Sequence, residues 1–155
     1  MKLALHRSMI FWSGLLAVGF VCWAWHDSYF LNRFANHRGY GISHMNGGIA
    51  MAKITTYFGT RHGSMNTSTF YRMETFPPPL FIRSEVPPGG TRPKAAVPDL
   101  HPPFTVKESW TITAKSESGS TRIFIPYWLI LSFIALLWLA LLLWRAKRRS
   151  TRIKV

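Results

Sequence analysis

The chain has one cysteine, six carboxylates and, outside a single stretch, one proline. Each shortage excludes something. With Cys22 alone, no intrachain disulfide and no cysteine-based metal site can form. Six Asp and Glu stand against 19 Lys and Arg, giving a formal net charge of +13 over 155 residues. Nine of the ten prolines fall between Pro77 and Pro103, which rules that stretch out as a central strand. No Walker-type loop, Gly-x-Ser-x-Gly or His-Glu-x-x-His motif is present. The histidines at 6, 26, 37, 44, 62 and 101 include no pair at metal-ligand spacing on one element. No catalytic residue, metal site or cofactor is therefore expected. His26-Asp27 superficially suggests part of a triad, but neighbours in sequence seldom face one another.

Charge is also missing from two long runs. Ser8 to Trp25, SMIFWSGLLAVGFVCWAW, and Tyr127 to Trp144, YWLILSFIALLWLALLLW, are each 18 residues without an ionised side chain. A helix of that length spans about 27 Å, close to the hydrocarbon thickness of a bilayer. The second run holds eight Leu and two Ile; with Phe133 they favour insertion by about 3 to 7 kcal/mol, which easily offsets Ser132. Pro126 suits the first turn of a helix, where its missing N–H costs nothing. Trp23, Trp25, Tyr127, Trp128 and Trp144 lie at the edges of the runs, where aromatic side chains anchor helices at the membrane interface. In the first run an uncleaved anchor is favoured over a cleaved signal peptide ending near Cys22 and Ala24, because the run is long for a signal core and rich in Trp.

The positive charge sits outside these runs. Lys2 and Arg7 precede the first, and Arg145, Lys147, Arg148, Arg149, Arg152 and Lys154 follow the second. This pattern orients both ends toward the cytoplasm and suits contact with the lipid bilayer through anionic lipid headgroups. It removes the need for a nucleic-acid partner, which a basic soluble protein would suggest. The spans carry no Asp, Glu, Lys, Arg or His, so no ion or proton path is expected.

The expected fold is thus membrane α+β, with two transmembrane helices flanking a small antiparallel β domain. Residues 1–7 form a cytoplasmic N-terminus, 8–25 the first span, 26–124 an extracytoplasmic β-rich domain, 125–144 the second span and 145–155 a basic cytoplasmic tail. Within the domain, GISHMNGGIAMAKITTY predicts a hairpin turning at Asn46-Gly47-Gly48. Residues 29–35 predict a strand just after the first span. Phe104 to Ala114, FTVKESWTITA, alternates apolar and polar residues apart from Glu108 and predicts a strand. That strand is expected to turn at Ser116–Ser120 and pair with Thr121–Ile125. Asn66-Thr67-Ser68 matches a glycosylation sequon, a triplet frequent by chance.

Three segments carry a resemblance: Ile125-Pro126-Tyr127-Trp128-Leu129 ahead of the Leu-rich run, Trp25-His26-Asp27-Ser28-Tyr29, and Gly39-Tyr40-Gly41-Ile42-Ser43 with Gly47-Gly48-Ile49. The layout resembles a group of small uncharacterised bacterial membrane proteins. They have an extracytoplasmic β-like segment, an Ile/Val-Pro-x-Trp-Leu start to the last span and an Arg-rich tail. Some continue into a zinc ribbon, whose cysteines this chain lacks. The resemblance implies a bacterial cytoplasmic (inner) membrane and two anchors, and carries no activity. The resulting expectation is a non-enzymatic structural or interaction protein. A sensor or accessory subunit with an envelope-protein partner is the alternative, and an extracytoplasmic enzyme comes third.

Overall fold

The computed structural model describes residues 9–53, 60–66, 72, 74–84, 103–116 and 119–152. The chain runs α1 (Met9–Phe30), β1 (Leu31–His37), β2 (Tyr40–Met45), β3 (Gly48–Lys53), β4 (Arg61–Asn66), β5 (Leu80–Arg83), α2 (Val106–Ser116), β6 (Thr121–Pro126) and α3 (Tyr127–Arg152). The strands form one sheet in the order β4-β1-β2-β3-β6-β5, and every pairing is antiparallel.

Two long apolar helices flank this six-stranded sheet in sequence. Met9–Phe30 and Tyr127–Arg148, 22 residues each, are long and apolar enough to cross a membrane. They pack antiparallel. The Trp138 indole donates to the Ile10 carbonyl at 3.1 Å and its ring lies 5.8 Å from that of Phe11. A side chain on buried Gly14 would collide with Trp138, so the glycine permits this close approach. Nearer the sheet, Val21, Ala24 and Tyr127 form a buried cluster with Ile130, Leu131 and Ile134 against it. The outer surfaces of the pair expose Leu16, Phe20, Phe133, Leu136 and Leu143.

No linker separates helix from sheet. α1 passes from Phe30 into β1, and β6 passes from Pro126 into α3. The first helix is longer than the expected span, continuing through His26, Asp27 and Ser28. The β2–β3 turn meets its C-terminal end: Asn46 N–H donates to the Ser28 carbonyl at 2.9 Å, and Gly47 N–H donates to Ser28 Oγ at 2.9 Å. Asn46 and Gly47 both have positive φ, 41° and 81°, as the twist-compatible two-residue hairpin requires. The expected turn is present, and Gly48 already belongs to β3. Arg38-Gly39 makes a second turn of the same kind, with φ of 47° and 81°. The first strand begins and ends two residues later than expected.

Residues 104–114 are a correction. The expected strand is the helix α2, and the expected hairpin with 121–125 does not form. Thr105 and Glu108 close a capping box: Thr105 N–H donates to Glu108 Oε2 at 2.8 Å, and Glu108 N–H donates to Thr105 Oγ1 at 3.1 Å. Val106 and Trp110, one helical turn apart, are both buried. The apparent alternation breaks at Glu108, where helical spacing takes over. Thr111, unfavourable inside a helix, bonds its hydroxyl back to the Lys107 carbonyl at 2.8 Å. Residues 121–125 are a strand as expected, paired instead with β3 and β5. Leu80–Arg83, inside the proline-rich stretch, is a strand at the sheet edge, the one place such a sequence permits.

One face of the sheet is covered. Met45, Ala50 and Phe124 pack under Val106 and Trp110, with Leu80 and Ile82 alongside. The Trp110 and Phe124 rings meet edge to face at 5.9 Å. Burying these two aromatic side chains is the largest contribution to this core.

Candidate functional site

The other face is organised by register. Three cross-strand rows lie on it, about 7 Å apart along the strands. The row nearest the helix pair holds Ser64, Arg33, His44, Ile49 and Ile125. The next holds His62, Ala35, Ile42, Met51, Ile123 and Phe81. The third holds His37, Tyr40, Lys53, Thr121 and Arg83.

The helices close over the middle of the first row, while Arg33 and Ser64 stay exposed. Asp27, near the end of α1, places Oδ2 3.2 Å from an Arg33 guanidinium nitrogen and 3.3 Å from His44 Nε2. On the other side of the ring, His44 Nδ1 lies 2.5 Å from the Tyr127 hydroxyl, at the start of α3. With the ring proton on Nε2 toward the carboxylate, Nδ1 accepts from the phenol. Asp27, His44 and Tyr127 thus bring α1, β2 and α3 to one point. Burial holds the His44 imidazole below its ordinary value; Asp27 opposes that effect and Arg33 adds to it. Nδ1 is committed to the phenol, Nε2 faces the Asp27 carboxylate at ion-pair distance without a well-formed hydrogen bond, and Tyr127 is only 5 % exposed. The arrangement is chemically suited to holding two helices against a sheet, and Tyr127 is too enclosed to meet a substrate. Beside it is a small hollow of about 300 Å³ lined by Phe34, Ile42, Ile49 and Tyr127.

The described residues of the second and third rows are largely exposed. Ile42, Met51, Ile123 and Phe81 are 49 %, 45 %, 38 % and 69 % exposed, and Tyr40 is 63 % exposed. Between them runs a shallow trough of about 900 Å³, bordered by Arg38, Lys53 and Arg61. Across six strands such a strip measures about 24 Å. The covered face also keeps a hollow, about 430 Å³, between Asn32, Asn36, Ser43, Phe104 and Trp110. Among the described residues, no three His, Cys, Asp or Glu side chains gather as metal ligands would.

The expected interfacial aromatics take different positions. Trp23 is 55 % exposed, and Trp144, 54 % exposed, lies under the Arg148 guanidinium, 4.1 Å from its ring centre. Trp25 donates to the Tyr29 hydroxyl at 2.8 Å, and Trp128 donates to the Pro77 carbonyl at 2.9 Å. Tyr127 belongs to the His44 cluster. Arg145, Lys147 and Arg148 lie on the last turns of α3, and Arg149 and Arg152 continue its backbone. Lys154 lies outside the described residues, as do Thr67 and Ser68 of the sequon; its Asn66 ends β4. Glu108 serves the α2 cap, and hydrogen bonds from Thr105 hold its carboxyl below the usual range.

Sequence reasoning did not find the His44 cluster, because 83 positions separate its imidazole from Tyr127. A signal for the open face was present in the hairpin. Tyr40, Ile42 and His44 alternate with Gly41 and Ser43, and Ile49, Met51 and Lys53 with Ala50 and Ala52. The larger side chains of both strands share one face. Comparison of the chain with protein-family models, curated proteins and solved structures returns no match.

Proposed function

We propose that this chain is a two-span integral membrane protein, non-enzymatic, that holds a β domain against the outer surface of a bacterial cytoplasmic membrane and presents one sheet face for interaction. The observation that carries this reading is the antiparallel pair of apolar helices, joined without linkers to the sheet at one end and bearing Arg145, Lys147 and Arg148 at the other. Two such helices expose apolar side chains that water does not favour, and lipid removes that cost. The basic cluster belongs on the cytoplasmic side, so both termini are cytoplasmic and the sheet is outside. The resemblance of Ile125–Leu129 to small bacterial membrane proteins supports the same compartment. The enclosure of Tyr127 between the helices and the sheet, with His44 held to it on one side and facing Asp27 on the other, favours a structural role there over catalysis.

The His44 cluster also favours a second reading, a sensor or accessory subunit of an envelope complex. A load on the sheet face would reach both helices through Asp27 and Tyr127. Reporter fusions at residue 60 and after residue 155 test the layout. Activity typical of the outside at 60 and of the cytoplasm after 155 is the expected result; a cytoplasmic signal at 60 overturns it.

A further inference from the structure

We infer that the trough on the open sheet face binds a single anionic lipid from the adjacent leaflet, its acyl chain along the apolar row and its headgroup against the basic border. The inference rests on the proposed membrane layout. Three observations carry it.

The first is composition. Ile42, Met51 and Ile123 form a continuous apolar row, register partner to register partner. An exposed apolar strip of this kind is unfavourable in water and marks a binding surface. The second is charge. Lys53, Arg38 and Arg61 border the trough. Of the three described carboxylates, Asp27 is engaged by Arg33 and Glu108 by the α2 cap, and neither they nor Glu74 line the trough. An occupant must therefore be apolar along one side and anionic along the other, as a phospholipid is. A neutral apolar partner would leave the border cations facing nothing. The third is continuity. The row next to the trough is the one that Asp27 and Tyr127 fasten to the helix pair, about 7 Å away along the strands. Headgroup regions extend several Å beyond the hydrocarbon core, so the near edge of the trough lies beside the headgroup layer. Its volume, about 900 Å³, is in the upper range of single-molecule binding sites.

The test uses the full chain, reconstituted in phosphatidylcholine bilayers doped with phosphatidylglycerol of the same acyl chains. Lipid retained after release is counted by native mass spectrometry. Phosphatidylglycerol is expected to bind about tenfold tighter than phosphatidylcholine. The double variant K53E/R61E should abolish that preference, and I42S/M51S should weaken retention of both lipids. Both pairs are surface changes, and unaltered circular dichroism verifies the fold. Equal retention by all variants overturns the proposal. So does a dimer that I42S/M51S breaks without changing lipid retention, which assigns the trough to a second copy. Alkaline carbonate extraction of the same vesicles separates the two levels of failure. A chain that stays in the bilayer without lipid preference defeats the lipid site alone. A chain released by carbonate defeats the membrane layout and the lipid site together.

Discussion

The two faces of the sheet are built from the same strands and differ in what covers them. On one, Gly41, Ser43, Gly48, Ala50 and Ala52 leave depth for Phe124 and for the Trp110 indole carried by α2. On the other, Tyr40, Ile42 and Met51 stand out into solvent. Small residues under a helix and large residues in the open invert the usual allocation. The difference teaches that alternation alone does not reveal which side of a strand is the core. The core lies where a second element can approach, and the shorter side chains permit that approach.

The sharpest way to break the comparison is to unload the covered face. Trp110→Ala removes the side chain that α2 inserts and should destabilise the domain by about 3 to 5 kcal/mol, read by chemical unfolding in detergent. A loss below 1 kcal/mol would mean that α2 is not what closes this face.

The joint between the faces and the helices should respond to pH. Because the folded His44 resists protonation, the unfolded chain binds more protons as pH falls through about 6.5. This contribution is complete above that value and is lost below it. Thermal unfolding should therefore occur at lower temperature at pH 5.5 than at pH 7.5, and the difference should shrink in His44→Gln. An equal drop in variant and parent would locate the sensitivity elsewhere.

The α2 cap gives a smaller effect. Thr105→Ala should cost about 1 kcal/mol, measured by the same unfolding. The smallest change belongs to the open face. Ile42→Ser alone should leave stability within about 0.5 kcal/mol of the parent, since the position contributes little to the core. A cost comparable with Trp110→Ala would show that this face is packed.

Much of the frame was legible because it is local. The two charge-free runs appear as long apolar helices, and Asn46-Gly47 makes its turn because glycine and asparagine tolerate positive φ. Arg38-Gly39 was not anticipated, since arginine gives no such signal. α2 was misread because Val, Thr and Ile favour strands, while Thr105 and Glu108, three residues apart, signalled a helix start. Trp25, Tyr127 and Trp128 were legible as aromatics at the edges of the two apolar runs. Their hydrogen bonds to Tyr29, His44 and Pro77 depend on tertiary approach, which no local pattern encodes. The open trough is likewise a product of register, with Ile42, Met51 and Ile123 supplied by three strands.

Single cysteines introduced one at a time in a Cys22→Ser background test the two faces of the sheet and its proposed placement outside most directly. Intact cells treated with a membrane-impermeant maleimide should label M51C rapidly, A50C at least about tenfold more slowly, and R152C only after permeabilisation. Equal labelling of M51C and A50C would contradict the difference between the faces, and labelling of M51C only after permeabilisation would contradict the placement of the sheet outside.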